Sequence, residues 1–567
     1  RCRVVSTVTD AGGREVLRLR SAPLELAPWS RRRVSQTARL DGAKLWSPDH
    51  PYLYSLTTRI ETAGGEADRQ QTEFGVRSLR FTADQGFFLN GRRTEIHGTC
   101  NHQDHAGVGI ALPDRLQYFR VERLKAMGAN AYRTSHNAPT PALVEACDRL
   151  GMMVMDETRM FSSEAEGLSQ LARLVRRDRN HPAVILWSVG NEEPEQGTPR
   201  GARIAAAMKR LVRRLDPSRP VTEAMNYGWG QGLSEVVDVQ GFNYGLGPRI
   251  DDYHRKFPQK PCFGSETAST FSTRGIYRYY PQQGWLSAYD VNRPRWGETA
   301  EEWWNIYAAR PYLAGGFVWT GFDYRGEPTP YAWPCISSQF GIIDTCGFPK
   351  DNFYYYRSWW QQQPVLHLLP HWNWLQWPGQ QGRPIEVWCH TNLERVELFL
   401  NGTSQGSRSV PRNRHVQWTV PFQPGTLEAR GYRGGKLILT ARRETTGPAA
   451  AVALHPERTP IAADGQDVSV VSVAIHDAQG RAVPTADNEV QFALEGPGRI
   501  IGVGNGNPSS HEADKPDPKD LGRAARRQAF NGWCCLIVQS LRAQPGAIAL
   551  RATSSGLTAG AASITSS

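Results

Sequence analysis

Two glutamates follow short apolar runs and have the residue type needed for paired acid and nucleophile chemistry. Glu192 comes shortly after the apolar run 183–187, and Glu266 comes shortly after the apolar pair 262–263. Two carboxyl groups about 5–5.5 Å apart allow a double displacement at a glycosidic carbon, whereas about 6.5–9.5 Å leaves room for a water molecule and gives inversion. One carboxyl must stay protonated while the other is ionised, so their surroundings must differ.

Neighbouring polar residues offer a way to make those surroundings different. Arg133 and Tyr244 are placed to donate hydrogen bonds to Glu266 and so stabilise it as a carboxylate, while Glu192 follows an apolar strand that contains Trp187. A single glutamate at the end of a strand is most often a salt-bridge partner. Two glutamates in matching positions after two apolar strands favour a catalytic pair instead.

Three histidines raise the alternative of a metal site. His102 and His105 are three residues apart, a spacing that is common among zinc ligands, and His136 follows another strand. The first two lie in a stretch that reads as a loop, and histidines also donate to sugar hydroxyls. We therefore favour sugar binding and expect no metal and no cofactor. The 18 tryptophans agree with a sugar site, because aromatic faces stack on pyranose rings, although many tryptophans are core residues.

Length and composition limit the other classes of function. The 567 residues predict roughly four domains, or fewer if one is a barrel of about 250 residues. The net charge of +11 comes from scattered arginines without a Lys/Arg tract, so we expect no nucleic-acid partner. No apolar run approaches the about 18 residues of a membrane span, so we expect no membrane partner. The nine cysteines form no CxxC pair, and we expect mostly buried free thiols.

The elements that must position these residues change character near residue 82. Short alternating runs with turn glycines fill residues 1–80 and predict an immunoglobulin-like β-sandwich. From 81 to 364, eight apolar runs alternate with helical segments, including 113–127, 141–150 and 203–215, which favours a (β/α)8 TIM barrel. A doubly wound α/β sheet is the alternative. It would need a glycine-rich phosphate turn after its first strand, and the sequence 97–102 is not one.

Strand alternation returns after residue 364 and completes a multidomain α/β plus all-β chain. Residues 365–446 predict a β-sandwich in which Asn401-Gly402 forms a tight turn, and Gly447-Pro448 marks a break. Residues 447–567 predict a C-terminal immunoglobulin-like β-sandwich that contains a polar, proline-rich loop at 505–520. Since the chemistry of a barrel lies at the carboxyl ends of its strands, the polar residues that follow the strands should meet at one mouth.

These motifs resemble those of glycoside hydrolase family 2, the family of β-galactosidases, β-glucuronidases and β-mannosidases. The resemblance covers about residues 1–445, and the tail looks like the extra immunoglobulin-like domains of one bacterial β-galactosidase-like branch. The motifs that carry it are Phe74-Gly75-Val76-Arg77, Phe88-Leu89-Asn90-Gly91, the loop at His102, Arg133-Thr134-Ser135-His136, Asp156-Glu157, Trp187-Ser188-Val189-Gly190-Asn191-Glu192 and Gly264-Ser265-Glu266.

The resemblance implies a role for each matching residue. Glu192 would be the acid/base, and Glu266 would be the nucleophile that forms a covalent glycosyl-enzyme. Asn191 would hydrogen-bond the sugar 2-hydroxyl, and Arg133 and Tyr244 would hold the nucleophile. The remaining candidates for substrate binding are His102, Asp104, His136 and Trp319.

The sequence departs from the family pattern in three places. The family's N-terminal jelly-roll sugar-binding domain is missing from it, which we expect to weaken sugar binding. After Asp156-Glu157, positions that carry magnesium ligands in some β-galactosidases hold residues such as Phe161 and Ser163, which predicts no such metal site. The Asn-x-Lys motif of β-glucuronidases is absent near 337–341, which argues against a uronic acid substrate.

We therefore expect a retaining exo-β-glycosidase that acts on terminal β-linked neutral hexosides, with β-galactosidase activity favoured. A β-mannosidase or β-glucuronidase-like member of the same family is one alternative. A catalytically inert carbohydrate-binding protein is another. A homo-oligomer stays open, as does the choice between a cytoplasmic and an exported bacterial location.

Overall fold

The computed structural model describes residues 1–245, 247–375 and 379–567. They form a closed eight-stranded barrel with antiparallel sheets before and after it, so the (β/α)8 prediction is confirmed and the doubly wound alternative is wrong. Among the described residues no helix is long and apolar enough to cross a membrane. All nine cysteines are free thiols, and eight of them are buried.

The N-terminal region is a four-stranded antiparallel sheet joined to the base of the barrel. Arg77 donates to the carbonyls of Pro182 and Val184 at the start of a barrel strand. The fully buried indole of Trp46 donates to the carbonyl of Asp148. The segment that ends at Arg77 therefore connects the N-terminal sheet to the barrel through these hydrogen bonds. In the order β2-β1-β3-β4, the sheet is built from β1 (Cys2–Thr9), β2 (Glu15–Arg20), β3 (Tyr54–Thr62) and β4 (Gly65–Phe74).

A small three-stranded sheet leads into the barrel. Its buried side chains Phe87 and Leu89 belong to the barrel core. Gly86 has φ +75°, and a Cβ there would lie 2.7 Å from the carbonyl oxygen of Leu313, so only glycine fits. The strands are β5 (Leu79–Thr82), β6 (Gly86–Leu89) and β7 (Arg92–Arg93).

The barrel has eight parallel strands in sequence order, and the last pairs with the first. Most of their residues are buried, as is usual for parallel strands that are covered on both faces. The strands are β8 (Ile96–Asn101), β9 (Ala131–Thr134), β10 (Met153–Glu157), β11 (Val184–Asn191), β12 (Val221–Met225), β13 (Gln240–Asn243), β14 (Cys262–Ala268) and β15 (Leu313–Trp319).

Helices cover the outside of the barrel. The segments predicted as helical correspond to the first, second and fourth helices, and the first two end at glycines with left-handed φ, Gly128 and Gly151. The helices of the described residues are α1 (Asp114–Met127), α2 (Pro141–Leu150), α3 (Ala165–Asp178), α4 (Pro199–Leu215), α5 (Leu233–Val236), α6 (Gly247–Lys256), α7 (Ala300–Ala308) and α8 (Asp351–Trp360).

Two antiparallel sandwiches follow the barrel, each with its own apolar core. The first has sheets β16-β17-β20 and β19-β18-β21-β22, built from β16 (Leu366–Leu369), β17 (Pro384–Thr391), β18 (Arg395–Leu400), β19 (Thr403–Ser409), β20 (Val416–Pro421), β21 (Thr426–Arg433) and β22 (Lys436–Glu444). The second has sheets β23-β24-β28-β26 and β27-β25-β29-β30, built from β23 (Ala449–Pro456), β24 (Val468–Asp477), β25 (Glu489–Glu495), β26 (Gly498–Gly504), β27 (Ala524–Gln528), β28 (Trp533–Ser540), β29 (Gly546–Thr553) and β30 (Gly560–Ser566).

Candidate active site

The carboxyl ends of the barrel strands open into a cavity of about 1240 Å³. Its inner part is lined by residues that follow strands, and its outer part by residues of α6, of the segment 290–306 and of the first sandwich after the barrel. The inner residues are His102, His136, Asn191, Glu192, Asn226, Asn243, Tyr244, Glu266, Trp319, Glu327 and Phe340.

Glu266, at the end of β14, is held by three donors. Arg133 Nη1 lies 2.9 Å from its Oε2, and the Tyr244 hydroxyl donates to its Oε1 at 2.6 Å. Asn243 Nδ2 lies 3.3 Å from Oε2. The structure thus brings Arg133 and Tyr244 to Glu266 as the sequence predicts. Donors that converge on a carboxylate stabilise its ionised form and fix its orientation.

Glu192, directly after β11, has fewer partners. Asn243 donates to its Oε1 at 3.0 Å. Burial raises the pKa of Glu192, and the negative charge of Glu266 raises that pKa further. The indole N–H of Trp187, expected beside Glu192, donates to Asp216 at 3.0 Å. The carboxyl without a cationic partner is therefore the one that is disposed to hold a proton.

Asn243, the last residue of β13, contacts both glutamates through one nitrogen. Because that nitrogen contacts both oxygens, Glu192 Oε1 and Glu266 Oε2 cannot be farther apart than the sum of the two hydrogen-bond distances. This limit lies below the about 6.5–9.5 Å at which inverting enzymes hold their carboxyl groups. Asn243 is not among the residues singled out from the sequence, and no pattern in the sequence indicates that it bridges the pair.

Arg133 is a fully buried hub rather than a cavity-lining residue. Its Nε donates to Glu157 at 2.9 Å, and its Nη2 donates to the side-chain oxygen of Asn191 at 2.6 Å. Glu157 also contacts the ring of His136, with 2.8 Å between Oε1 and Nδ1. One guanidinium thus contacts Glu266, Asn191 and Glu157 and, through Glu157, orients His136.

An aromatic wall faces the glutamates. The His136 ring is stacked on Trp319 with centroids 5.3 Å apart, and the His102 ring meets Trp319 edge-on at 5.4 Å. Burial, helped by the neighbouring His136, lowers the pKa of His102 to about 4, so His102 is neutral near pH 7. A neutral imidazole has one N–H donor and one acceptor, which suits a sugar hydroxyl.

Two residues of the β8 loop lie elsewhere than the sequence suggests. Asp104, expected to bind substrate, does not line the cavity: its carboxylate accepts from the backbone N–H of Arg325 at 2.9 Å. His105 is buried edge-on against Phe119, and neither ring nitrogen has a hydrogen-bond partner in the described structure. The buried Arg120 guanidinium donates to the backbone carbonyls of His102 and Asp104, both at 2.6 Å, and so fixes the path of this loop.

Glu327 completes the inner wall and Tyr324 supports it from behind, and the sequence patterns indicate neither residue. They lie in the long connection between β15 and α8. The Tyr324 ring packs on His102 with centroids 4.2 Å apart, and its hydroxyl donates to the carboxylate of Glu327. Glu327 has φ +46°, and Glu192 and Tyr244 also have positive φ. Such strained backbone positions are concentrated at functional sites.

The outer part of the cavity is wider and charged. Arg293 pairs with Glu302 at 2.8 Å, and Trp296 is 52% exposed beside Arg295. Burial raises the pKa of Glu298 to about 7. The remaining charged residues of this part are Arg249, Asp290, Glu301, Arg414 and His415. No group of three or more His, Cys, Asp or Glu side chains among the residues that the structure describes is arranged to hold a metal ion.

Family models match most of the chain. The model described as "Glycosyl hydrolases family 2, TIM barrel domain" matches residues 81–171 and 162–362, and "Glycosyl hydrolases family 2" matches residues 2–77. "Glycoside hydrolase family 2 C-terminal domain 5" matches 452–563, and a domain of unknown function matches 382–439.

The chain is also similar to curated proteins and solved structures that are named as β-glycosidases. The chain is 37% identical to "Beta-galactosidase BoGH2A" of Bacteroides ovatus over 98% of its length and 71% of that protein. It is 31% identical to a "Putative beta-glucuronidase" of Formosa agariphila over 82% of its length, but spans only 48% of that protein. The crystal structure of a β-glycosidase from Bacteroides vulgatus superposes with a TM-score of 0.85 at 30% identity, over 100% of this chain and 75% of that one.

Proposed function

The chain belongs to glycoside hydrolase family 2 as a β-glycosidase, and we propose that it is a retaining exo-enzyme that releases a terminal neutral hexose, with β-galactosides as its preferred substrates. Glu266 is the proposed nucleophile and Glu192 the proposed acid/base. Asn191, His102, His136 and Trp319 are proposed to bind the sugar, and Arg133 and Tyr244 are proposed to hold Glu266.

The single observation that carries the retaining assignment is the bridge by Asn243. It keeps the facing oxygens of Glu192 and Glu266 closer together than the carboxyl groups of inverting enzymes, which supports a separation in the range of enzymes that form a covalent intermediate. The unequal partners of the two carboxyls support the division of roles. Three donors stabilise charge on Glu266, and burial without a cation favours a proton on Glu192.

The proposed reaction has two steps through one glycosyl ester. Glu192 donates its proton to the glycosidic oxygen while the Glu266 carboxylate attacks the anomeric carbon, so the bond to the leaving group breaks and the ester forms. Glu192, now ionised, takes a proton from water as the water oxygen attacks the anomeric carbon and releases Glu266. Two inversions at one carbon give net retention of configuration.

A neutral sugar is supported by the charges around the inner cavity. Arg133 is buried and already faces Glu157 and Glu266, and the arginines that line the cavity all belong to its outer part. A uronic acid would therefore find no free cation at the inner wall of the described structure. The similarity to the Bacteroides ovatus protein named a β-galactosidase supports galactose. The similarity to proteins named β-glucuronidases supports a glucuronide as the second candidate.

A labelling experiment tests the proposal. A 2-deoxy-2-fluoro β-galactoside with a dinitrophenyl leaving group should trap the glycosyl ester, and mass spectrometry should find the label on Glu266. Glu266→Gln should take up no label and should lose at least roughly 10³-fold in kcat on nitrophenyl galactoside. Glu235→Gln, an exposed carboxylate outside the cavity, is the matched control and should label normally.

The stereochemistry of the product gives an independent check. Proton NMR during the first minutes of hydrolysis should show the β-anomer of the sugar. An α-anomer as first product, or a label on another residue, would overturn the retaining assignment. A panel of nitrophenyl β-galactoside, β-glucoside, β-mannoside and β-glucuronide should give the highest kcat/KM for the galactoside.

A further inference from the structure

Glu327 is a carboxylate of the inner cavity to which the catalytic steps assign no task. One of its oxygens accepts from the Tyr324 hydroxyl, and the other has no hydrogen-bond partner in the described part of the chain. The Tyr324 ring contacts His102 and lies 5.7 Å from Trp319, edge-on. Glu327 thus lines the same cavity as Glu192 and Glu266, and one of its carboxylate oxygens is without a hydrogen-bond partner in the described structure.

The loop that carries Glu327 is fixed from both sides. The backbone N–H of Arg325 donates to Asp104, and its guanidinium pairs with Asp514 of the C-terminal sandwich at 2.8 Å. The N–H of Tyr324 donates to the Ser338 hydroxyl at 3.1 Å. These contacts fix the backbone of the loop near Glu327, which has a positive φ. The position of its carboxylate is therefore preorganised.

The charges near Glu327 are unfavourable to a second anion. Burial raises the pKa of Glu327, the hydrogen bond from Tyr324 opposes that rise, and the charge of Glu266 adds to it. The cation closest to Glu266 is Arg133, which two carboxylates already share. A hydroxyl-bearing sugar can donate to the free oxygen of Glu327, whereas a sugar carboxylate there would meet like charge without a counter-ion.

We propose that Glu327 is the specificity-determining residue of the glycone pocket, accepting hydrogen bonds from hydroxyls of a neutral hexose and excluding uronic acids by repulsion. This inference rests on the proposed function and adds the reason for its substrate class. A site built around a hydroxyl rejects an analogue that cannot donate to it, and an unpaired like charge adds to the rejection. Tyr324 is a positioning residue, because it acts by orienting the carboxylate.

Two substitutions at Glu327 test the inference on nitrophenyl β-galactoside and β-glucuronide. Glu327→Gln keeps the shape and the bond to Tyr324 but removes the charge, and should raise KM for the galactoside about tenfold with a smaller change in kcat. Glu327→Lys should shift the kcat/KM ratio toward the glucuronide by roughly 100-fold or more, since it replaces repulsion by attraction. Tyr324→Phe should raise KM for the galactoside and leave kcat within about threefold.

The controls separate this inference from the proposed function. Glu235→Gln should leave both substrates unaffected, and a thermal melt together with fluoro-sugar labelling of Glu266 should show that each variant is folded and competent. If the wild type cleaves the galactoside with retention but neither Glu327 variant changes the galactoside-to-glucuronide ratio, the role of Glu327 is wrong while the proposed function stands. If the wild type prefers the glucuronide, or labels elsewhere than Glu266, the proposed function fails first.

Discussion

At the scale of single residues, the two glutamates differ because their partners differ. The same nitrogen of Asn243 contacts both, but only Glu266 also receives Arg133 and the Tyr244 hydroxyl. Glu192 has no such cationic partner among the described residues. Its burial and the negative charge of Glu266 both raise its pKa. Identical side chains thus have different surroundings because of the residues at the ends of β9 and β13, which is the basis of the roles proposed for them.

The raised pKa of Glu192 predicts the basic limb of the pH–rate profile. The acid works only when protonated, so kcat/KM for a poor leaving group should fall as pH rises through that raised pKa. Glu192→Gln should lose roughly 10²–10⁴-fold on methyl galactoside, keep much more activity on dinitrophenyl galactoside, and show no basic limb there. Azide should partly rescue this variant and give a product of retained configuration.

A neighbouring glutamate provides the matched control for this pH profile. Burial also raises the pKa of Glu193, but its side chain does not line the cavity. Glu193→Gln should therefore keep the basic limb. A limb that persists in Glu192→Gln, or that disappears in Glu193→Gln, would show that another group carries the transferred proton.

A site residue can be predicted from the sequence when it lies close to the end of a barrel strand, and it cannot when it lies far along a connection. Glu192 and Glu266 follow buried apolar runs, and parallel strands of a barrel bring such positions to one mouth, so their proximity could be predicted. Glu327 could not, because it lies eight residues after Trp319 in a connection without periodicity. Asp104 was misplaced for a related reason: a polar residue after β8 was expected at the mouth, but the loop turns it toward Arg325.

At the scale of elements, regular segments were predictable and their connections were not. The helices α1 and α2 can be predicted from the helical spacing of their apolar residues and from the glycines that end them. The sequence also contains a capping box at Thr299 and Glu302, a recognisable helix-start signal, and α7 begins there. The connection from β15 to α8 has no such markers, and its shape is set by contacts with a distant domain.

That distant contact makes the proline-rich loop of the C-terminal sandwich part of the active-site scaffold. The backbone N–H groups of Ile336 and Ser337 donate to the carbonyl of Pro508, and Arg325 pairs with Asp514. Ser337 in turn pairs with Arg325 in a short antiparallel bridge. The segment that carries Glu327 is thereby tied to the last domain of the chain.

Removing the Asp514 carboxylate should loosen this segment. Asp514→Ala should raise KM for nitrophenyl galactoside about two- to fivefold and leave kcat nearly unchanged, because the partly exposed pair with Arg325 contributes only about 0.2–1 kcal/mol and the other partner of Asp514, Arg527, lies within the C-terminal sandwich. Lys519→Ala, an exposed substitution in the same loop, should leave both constants unchanged. Equal losses in KM and kcat, or a large drop in melting temperature, would point to a general folding role instead.

At the scale of the whole molecule, the cavity is larger than one hexose and is shared between domains. Its inner part is built from strand ends of the barrel, whereas Arg414 and His415 of the following sandwich reach its outer part. His415 is fixed there by Glu301, with 2.8 Å between Nδ1 and Oε2. The domain after the barrel thus lines part of the cavity, and under the proposed function this outer part is where we expect the leaving group to lie.

Trp296 is the aromatic surface on which such a leaving group would rest. It is 52% exposed and belongs to the segment whose Glu298 N–H donates to the carbonyl of Ala268, two residues beyond Glu266. Trp296→Ala should lower kcat/KM for a galactose-terminated tri- or tetrasaccharide about tenfold, and that for methyl β-galactoside less than twofold, because only the former reaches the ring. Trp29→Ala, a fully exposed tryptophan of the N-terminal region, should change neither value. An equal loss on both substrates in Trp296→Ala would mean that this tryptophan supports the fold of the cavity and does not bind the leaving group.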